Sequence, residues 1–135
     1  MYTNSSMTIF NKKFNKVTRL DEWKRTIIEK VFWNDSRAYN IRQTGLDSAD
    51  AVTVFVPFDY EANKEYIDSE DYRTRDDIEN YFTIQEGDRI VKGEVLEDIE
   101  SSTDLDKKFK TFTITKVDKK DFGSKHMRHW QIGGR

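Results

Sequence analysis

Alternating apolar and polar positions along the chain predict a series of short β-strands. The clearest alternation lies in residues 110–117 (KTFTITKV), where Phe112 and Ile114 share one face and threonines occupy the other. Residues 51–58 (AVTVFVPF) are apolar on both faces, which is typical of a strand in the interior of a sheet. Because proline donates no ladder hydrogen bond, Pro57 predicts that this strand ends or reaches a sheet edge there.

A first hairpin is predicted around the polar break at residues 34–36 (NDS), between residues 23–33 and a second strand at residues 37–43. The first of these runs also fits a helical spacing, so residues 22–33 are open to either structure. The β-branched residues in the run and the turn that follows favour a strand. In that strand a single face would carry Trp23, Ile27, Val31 and Trp33.

A second hairpin is predicted where residues 82–84 and residues 89–96 flank a turn at residues 85–88 (QEGD). Gly87 would supply the positive φ that such a turn requires. A last short strand is predicted over residues 129–132.

The two polar stretches at residues 59–80 and 98–108 are predicted to be excursions from the β core. Ser69 and Thr103 could each cap a short helix there, since acidic residues follow both. The predicted fold class is therefore mainly β: a small antiparallel β-barrel or sandwich with long polar loops and one or two short helices.

The length of 135 residues predicts a single domain spanning residues 1–135. Met7 could be a start codon, so residues 1–6 are expected to be a disordered extension and residues 7–135 the barrel-like domain.

The charge balance argues against a free-standing nucleic-acid binder. Twenty-three basic and 25 acidic residues give a net charge of -2, which provides no overall attraction to phosphates or anionic membranes. No stretch is apolar enough to cross a bilayer, so we expect a protein made in the cytoplasm of its host cell and no membrane partner. The absence of cysteine excludes disulfides, thiolate metal sites and a catalytic thiol.

A metal site is not predicted. The chain has two histidines, His126 and His129, and the nearby ligand candidates are Asp118 and Asp121, whereas a zinc site needs three or four convergent ligands.

An enzyme is not predicted either. The neighbouring carboxylates Asp68 and Glu70, and Asp76 and Asp77, are interpreted as solvated faces, because nothing near them indicates a pocket. Residues 87–93 (GDRIVKG) are interpreted as a turn that feeds a strand ending at Gly93, not as a phosphate loop. No cofactor is expected.

Basic and aromatic residues mix in residues 119–130 (KKDFGSKHMRHW). Such a mixture could bind single-stranded nucleic acid through Lys125, Arg128, His129 and Trp130. It suits a protein contact equally well, because Trp, Met and Arg are enriched as interface anchors. The candidate subunit or partner contacts are Phe122, Met127, Trp130 and Ile132.

Two segments, residues 123–134 (GSKHMRHWQIGG) and residues 87–93, resemble a family of small proteins from siphophages and prophages of Gram-positive bacteria. The resemblance covers nearly the whole chain. It also includes residues 7–14 (MTIFNKKF), Trp23, residues 45–50 (GLDSAD) and Pro57.

The resemblance implies a structural virion protein, a head–tail connector or head-completion subunit of the neck. Such proteins are typically β-barrels that assemble as a ring of identical copies, between the portal and its adaptor on one side and the tail terminator on the other. Genomic DNA would pass through the channel without sequence-specific binding, and acidic loops facing inward would repel its backbone. The alternatives are a tail terminator, a minor tail protein or a small nucleic-acid-binding barrel. The resemblance carries over no catalytic residues.

Overall fold

A closed six-stranded barrel dominates the computed structural model, which describes residues 3–35, 52–97, 99, 101–124 and 127–135. In chain order the elements are β1 (Ser5–Asn15), β2 (Leu20–Asp35), β3 (Val52–Pro57), β4 (Glu65–Tyr66), α1 (Ser69–Thr74), β5 (Tyr81–Phe82), β6 (Arg89–Lys92), α2 (Ser102–Lys108), β7 (Thr111–Lys120) and β8 (His129–Gly134).

The barrel strands follow the order β1-β2-β3-β8-β7-β6, and β6 returns to β1. Every pairing between them is antiparallel. The predicted mainly-β class, with a small antiparallel barrel and two short helices, is confirmed. Of the strands predicted from alternation, β3 ends at Pro57, β7 buries Phe112 and Ile114, and β8 extends two residues beyond Ile132.

The barrel interior is filled by apolar side chains that alternate along the strands. This cluster contains Met7, Ile9, Ile28, Val31, Trp33, Val52, Val54, Val56, Phe82, Ile84, Ile90, Phe112, Ile114, Trp130 and Ile132. Two of its aromatic members, Trp33 and Phe112, contact each other edge-on with ring centroids 5.7 Å apart.

The strand interpretation of residues 22–33 is confirmed, but the single apolar face predicted for it is wrong. A β-bulge shifts the register between Ser5↔Val31 and Met7↔Ile28, so one extra residue of β2 is accommodated there. Beyond the bulge, side chains point to the opposite face from the one that regular alternation would give them. Val31 and Trp33 therefore point into the barrel together with Ile28, whereas Trp23 packs on the outside.

The predicted disordered extension is wrong for residues 4–6. Asn4 pairs with β2: its side chain donates to the Trp33 carbonyl at 3.1 Å and accepts from the Trp33 amide at 2.8 Å. β1 then begins at Ser5 and continues through the segment 7–14, which alternation did not single out as a strand.

A second, smaller core lies outside the barrel wall. Phe10 on the outer face of β1 is covered by Val95, Ile99 and Leu105, the last of which belongs to α2. The predicted short helices are confirmed, although their caps lie one or two residues earlier than expected: Asp68 precedes α1, and the Ser101 side chain accepts from the Asp104 amide.

The second predicted hairpin is wrong in its partners. β5 pairs in parallel with β4, and β6 pairs with β1 and β7. The predicted turn is present, with Gly87 at φ +91° and its amide bonded to the Ile114 carbonyl at 2.8 Å. β6 ends at Lys92, before Gly93. The predicted strand at residues 37–43 lies outside the described residues.

Candidate functional site

The predicted contact residues are divided by the fold. Phe122 and Met127 lie in the connection between β7 and β8 with 70% and 58% of their surface exposed. Trp130 and Ile132 are core residues instead, because the alternation of β8 turns both into the barrel. A surface contact at this connection therefore relies on Phe122 and Met127.

The burial of Trp130 also changes the nucleic-acid interpretation. Its indole ring packs against Tyr66 and Phe58, with centroids 4.4 and 4.5 Å away. His129 is half-buried against Phe55, at a centroid distance of 5.1 Å, and so the predicted stacking platform is occupied by the protein's own rings. Lys125 lies outside the described residues.

The residues weighed for metal and acid–base chemistry do not converge in the part of the chain that the structure describes, which contains no group of three potential metal ligands. The His129 ring bonds through Nδ1 to the Met127 carbonyl at 2.8 Å, and Asp118 pairs with Lys116 at 3.4 Å. Asp121 is exposed, and His126 lies outside the described residues. The carboxylates Asp68, Glu70, Asp76 and Asp77 are all exposed.

The most prominent surface feature is a two-stranded hairpin that continues beyond the barrel, which we call the arm (residues 11–24). β1 and β2 stay paired to Asn15↔Leu20, whereas β6 accompanies β1 only from Met7 to Phe10. Past that point the barrel wall no longer supports the hairpin through strand pairing. The arm was not predicted from the sequence.

The end of the arm carries apolar side chains that the protein itself leaves exposed. Phe14, Val17 and Leu20 have 54%, 92% and 67% of their surface accessible. Lys16 and Arg19 stand among them, and neither forms an ion pair with a carboxylate of the described residues. We call these five residues the tip.

The base of the arm is braced by α1. The Lys13 ammonium donates to the Tyr72 and Arg73 carbonyls at 2.8 and 2.6 Å, at the end of the helix where carbonyls lack internal partners. Burial lowers the pKa of Lys13, and the charge of Asp76 opposes this shift. Lys13 thus fixes the arm to α1, while the apolar side chains of the tip stay exposed.

A buried polar network lies at the root of the arm. The Asn11 side-chain amide donates to the Thr83 carbonyl and to the Asp88 carboxylate, both at 2.7 Å, and Asp88 also accepts from the Lys12 backbone amide at 3.2 Å. Gln85 donates to the same carboxylate at 3.2 Å. Burial raises the pKa of Asp88 to about 6 in spite of these hydrogen bonds, which lower it.

The same end of the barrel gathers the arm and the candidate contacts. β1 ends and β2 begins at the arm, while β7 ends and β8 begins at the connection that holds Phe122 and Met127. Since the paired strands are antiparallel around the barrel, the two connections emerge at one end. This end therefore presents the exposed Phe14, Val17, Leu20, Phe122 and Met127.

No helix in the described part of the chain has the length and apolar character needed to span a membrane. Neither a curated protein nor a solved structure matches the chain. A family model does match it, from residue 2 to residue 135. The chain therefore belongs to DUF6751, a family of unknown function.

Proposed function

We propose that the protein is a structural virion subunit of a tailed bacteriophage, one copy of a ring in the neck between the DNA-filled head and the tail. The resemblance to siphophage and prophage proteins suggests this setting. The observation that carries the proposal is the arm: a braced hairpin that presents three exposed apolar side chains beyond a closed barrel.

Exposed apolar side chains grouped on a projecting element favour a protein contact. Phe14, Val17 and Leu20 together expose apolar surface to water, which is unfavourable unless a partner covers it. A closed barrel suits the role of scaffold because each of its six strands pairs with two neighbours. A rigid body with a projecting contact element suits a subunit that joins neighbouring copies in a ring.

The partners that follow from this proposal are other copies of the chain, the portal and its adaptor on the head side, and the tail terminator on the other side. DNA would pass through the ring without base-specific contacts. A net charge of -2 suits such a passage, since a strongly basic channel would retain the phosphate backbone.

A tail role is the second candidate within the virion, as a tail terminator or a minor tail protein. The same arm supports it, because tail rings also require contacts between subunits. The form of nucleic-acid binding considered from the sequence is weakened by the burial of Trp130, which is 5% exposed.

The test is electron microscopy of lysates from a phage or induced prophage in which this gene is disabled, with the gene restored from a plasmid as the control. Leaky or empty heads beside free tails are the expected result. Intact filled heads without tails would assign the protein to the tail instead. Normal, infectious virions would overturn the structural proposal altogether.

A further inference from the structure

The tip has a defined shape of its own. The Asn15 side-chain oxygen accepts from the amides of Val17 and Thr18 at 2.9 and 3.3 Å, and the Arg19 amide bonds to the Asn15 carbonyl at 2.7 Å. Arg19 adopts a left-handed φ of +58° to close the turn. A turn held in this way loses little conformational entropy when it binds.

The apolar side chains of the tip cover more than one face. Asn15 pairs with Leu20 and Phe14 with Asp21, so Phe14 and Leu20 lie on opposite faces of the ribbon, and Val17 lies at the apex. A partner that covers all three side chains must surround the tip. The tip is therefore shaped to enter a groove and not to lie on a flat surface.

The same chain has a groove with complementary properties on the outer flank of β2. The groove is open, has a volume of about 650 Å³, and is lined by apolar Ile27, Ala62 and Leu96 and by acidic Glu29, Glu61 and Glu94. Leu96 has 75% of its surface exposed there. We call these six residues the groove.

The charges of the groove and the tip are opposite. Glu29 and Glu94 are exposed carboxylates, and the third, Glu61, is paired with Lys30 at 3.1 Å. Lys16 and Arg19 of the tip could face the two exposed carboxylates while the apolar residues of both surfaces meet between them.

A tip cannot reach the groove of its own chain. Leu20 of the tip and Ile27 of the groove belong to one continuous strand, and the rise of seven strand steps from one to the other is roughly 23 Å. The partner that supplies the groove must therefore be another molecule.

We propose that the tip of one copy docks in the groove of the next copy of this chain. Because tip and groove are different surfaces, the contact is head-to-tail, and repetition of such a contact closes into a ring when its rotation allows. This inference rests on the proposed ring and specifies which surfaces join its subunits.

Cross-linking tests the contact directly, since the chain has no cysteine of its own. Copies carrying Val17→Cys are mixed with copies carrying Leu96→Cys and treated with a short thiol-specific cross-linker. Both positions are exposed, at 92% and 75%, so neither substitution should impair folding. The control partner carries Lys107→Cys, an exposed position on α2 outside the groove.

The expected result is that Val17→Cys copies join Leu96→Cys copies at least about tenfold faster than they join the control. A chain with both Val17→Cys and Leu96→Cys should give a ladder of covalent oligomers. Equal rates with Leu96→Cys and with the control would overturn the proposal, whatever other molecule the tip binds.

Charge reversal provides a second test in the same cross-linking assay. Lys16→Glu with Arg19→Asp reverses the tip, and aspartate tolerates the left-handed φ of residue 19. Glu29→Lys with Glu94→Lys reverses the groove. Each reversal alone should slow cross-linking roughly tenfold, and the two combined in every copy should restore it.

A matched control for the tip reversal changes the exposed Lys107 and Arg135 to glutamate, which alters the net charge by the same amount and should leave the rate unchanged. If the combined reversal does not restore the rate, the proposed contact between tip and groove is overturned. The lysate experiment does not depend on the tip or the groove, so it tests the ring proposal separately from the proposed contact.

Discussion

Replacement of the buried Asp88 by asparagine should remove a pH dependence of stability that the wild-type protein carries. Asp88 is 1% exposed, and burial raises its pKa from the ordinary 3.8 to about 6. The folded protein therefore binds more protons than the unfolded chain between these two pH values. The contribution of Asp88 to the free energy of unfolding accordingly decreases as the pH rises through this window.

The magnitude follows from the shift. The shift from 3.8 to about 6, at about 1.4 kcal/mol for each pKa unit, amounts to about 3 kcal/mol in total, and about 2.5 kcal/mol of it is lost between pH 4 and pH 7. Well below pH 3.8 the carboxyl is neutral in both states, and above about pH 7 it is ionised in both. The decrease is therefore confined to this interval and the curve flattens on either side.

The assay is urea unfolding from pH 4 to pH 7.5, followed by tryptophan fluorescence. The quantity compared is the free energy of unfolding of the wild type minus that of Asp88→Asn, because other groups that titrate in both proteins cancel. This difference should fall by about 2.5 kcal/mol between pH 4 and pH 7.5. The exposed Asp59→Asn is the control for an Asp-to-Asn substitution outside the core. A difference for Asp88 that stays flat or rises with pH would refute the reasoning.

Three further substitutions, two of them with a control, test the barrel core, a helix cap and a close contact between strands. Trp130→Ala should lower the free energy of unfolding by about 3–5 kcal/mol because it empties part of the barrel core, whereas the exposed Phe122→Ala should stay within about 0.5 kcal/mol. Ser101→Ala should cost about 1 kcal/mol in urea unfolding through the lost helix cap, and a similar cost for the neighbouring Thr103→Ala would contradict that assignment. Gly134→Ala should cost about 1–3 kcal/mol, since its methyl group would lie 3.2 Å from a valine of β3; an unchanged melting temperature would show that the barrel relaxes around it.

The sequence predicted those strands whose apolar pattern has no interruption. β3 was found because it is apolar on both faces and β7 because it alternates regularly, and Pro57 marked the end of β3 correctly. β2 was found as a strand, yet its bulge exchanges faces after Ile28, and no local pattern distinguishes an extra residue from a continuous strand.

Partner choice was the main failure, because it depends on contacts distant in sequence. The chain after β5 turns away from β6 since Thr83 is bonded to Asn11, 72 residues earlier, and not to the strand that follows it. β1 was overlooked for a related reason: Asn11 interrupts its apolar pattern and is nevertheless buried by that same pairing.

The arm could have been found in part. The mostly polar residues 15–19 (NKVTR), between two apolar-bearing runs, are the kind of break that predicts a hairpin. What the pattern could not indicate is that Phe14, Val17 and Leu20 stay exposed, since exposed and buried apolar residues look alike in sequence. The opposite error was made near the C-terminus, where Trp130 and Ile132 were predicted to be surface contacts and lie inside the barrel.

The paired ribbon of the arm also has a consequence for the free subunit before assembly. Beyond Phe10 no strand pairs with the outer edge of β1 in the described chain, and past the Lys12 amide, which is bonded to Asp88, this edge could template aggregation. Lys12 and Lys16 lie along the same segment, and their charges oppose its stacking against a like edge. Neutralising these lysines, for example by acetylation, should therefore shorten the time for which concentrated subunits stay in solution.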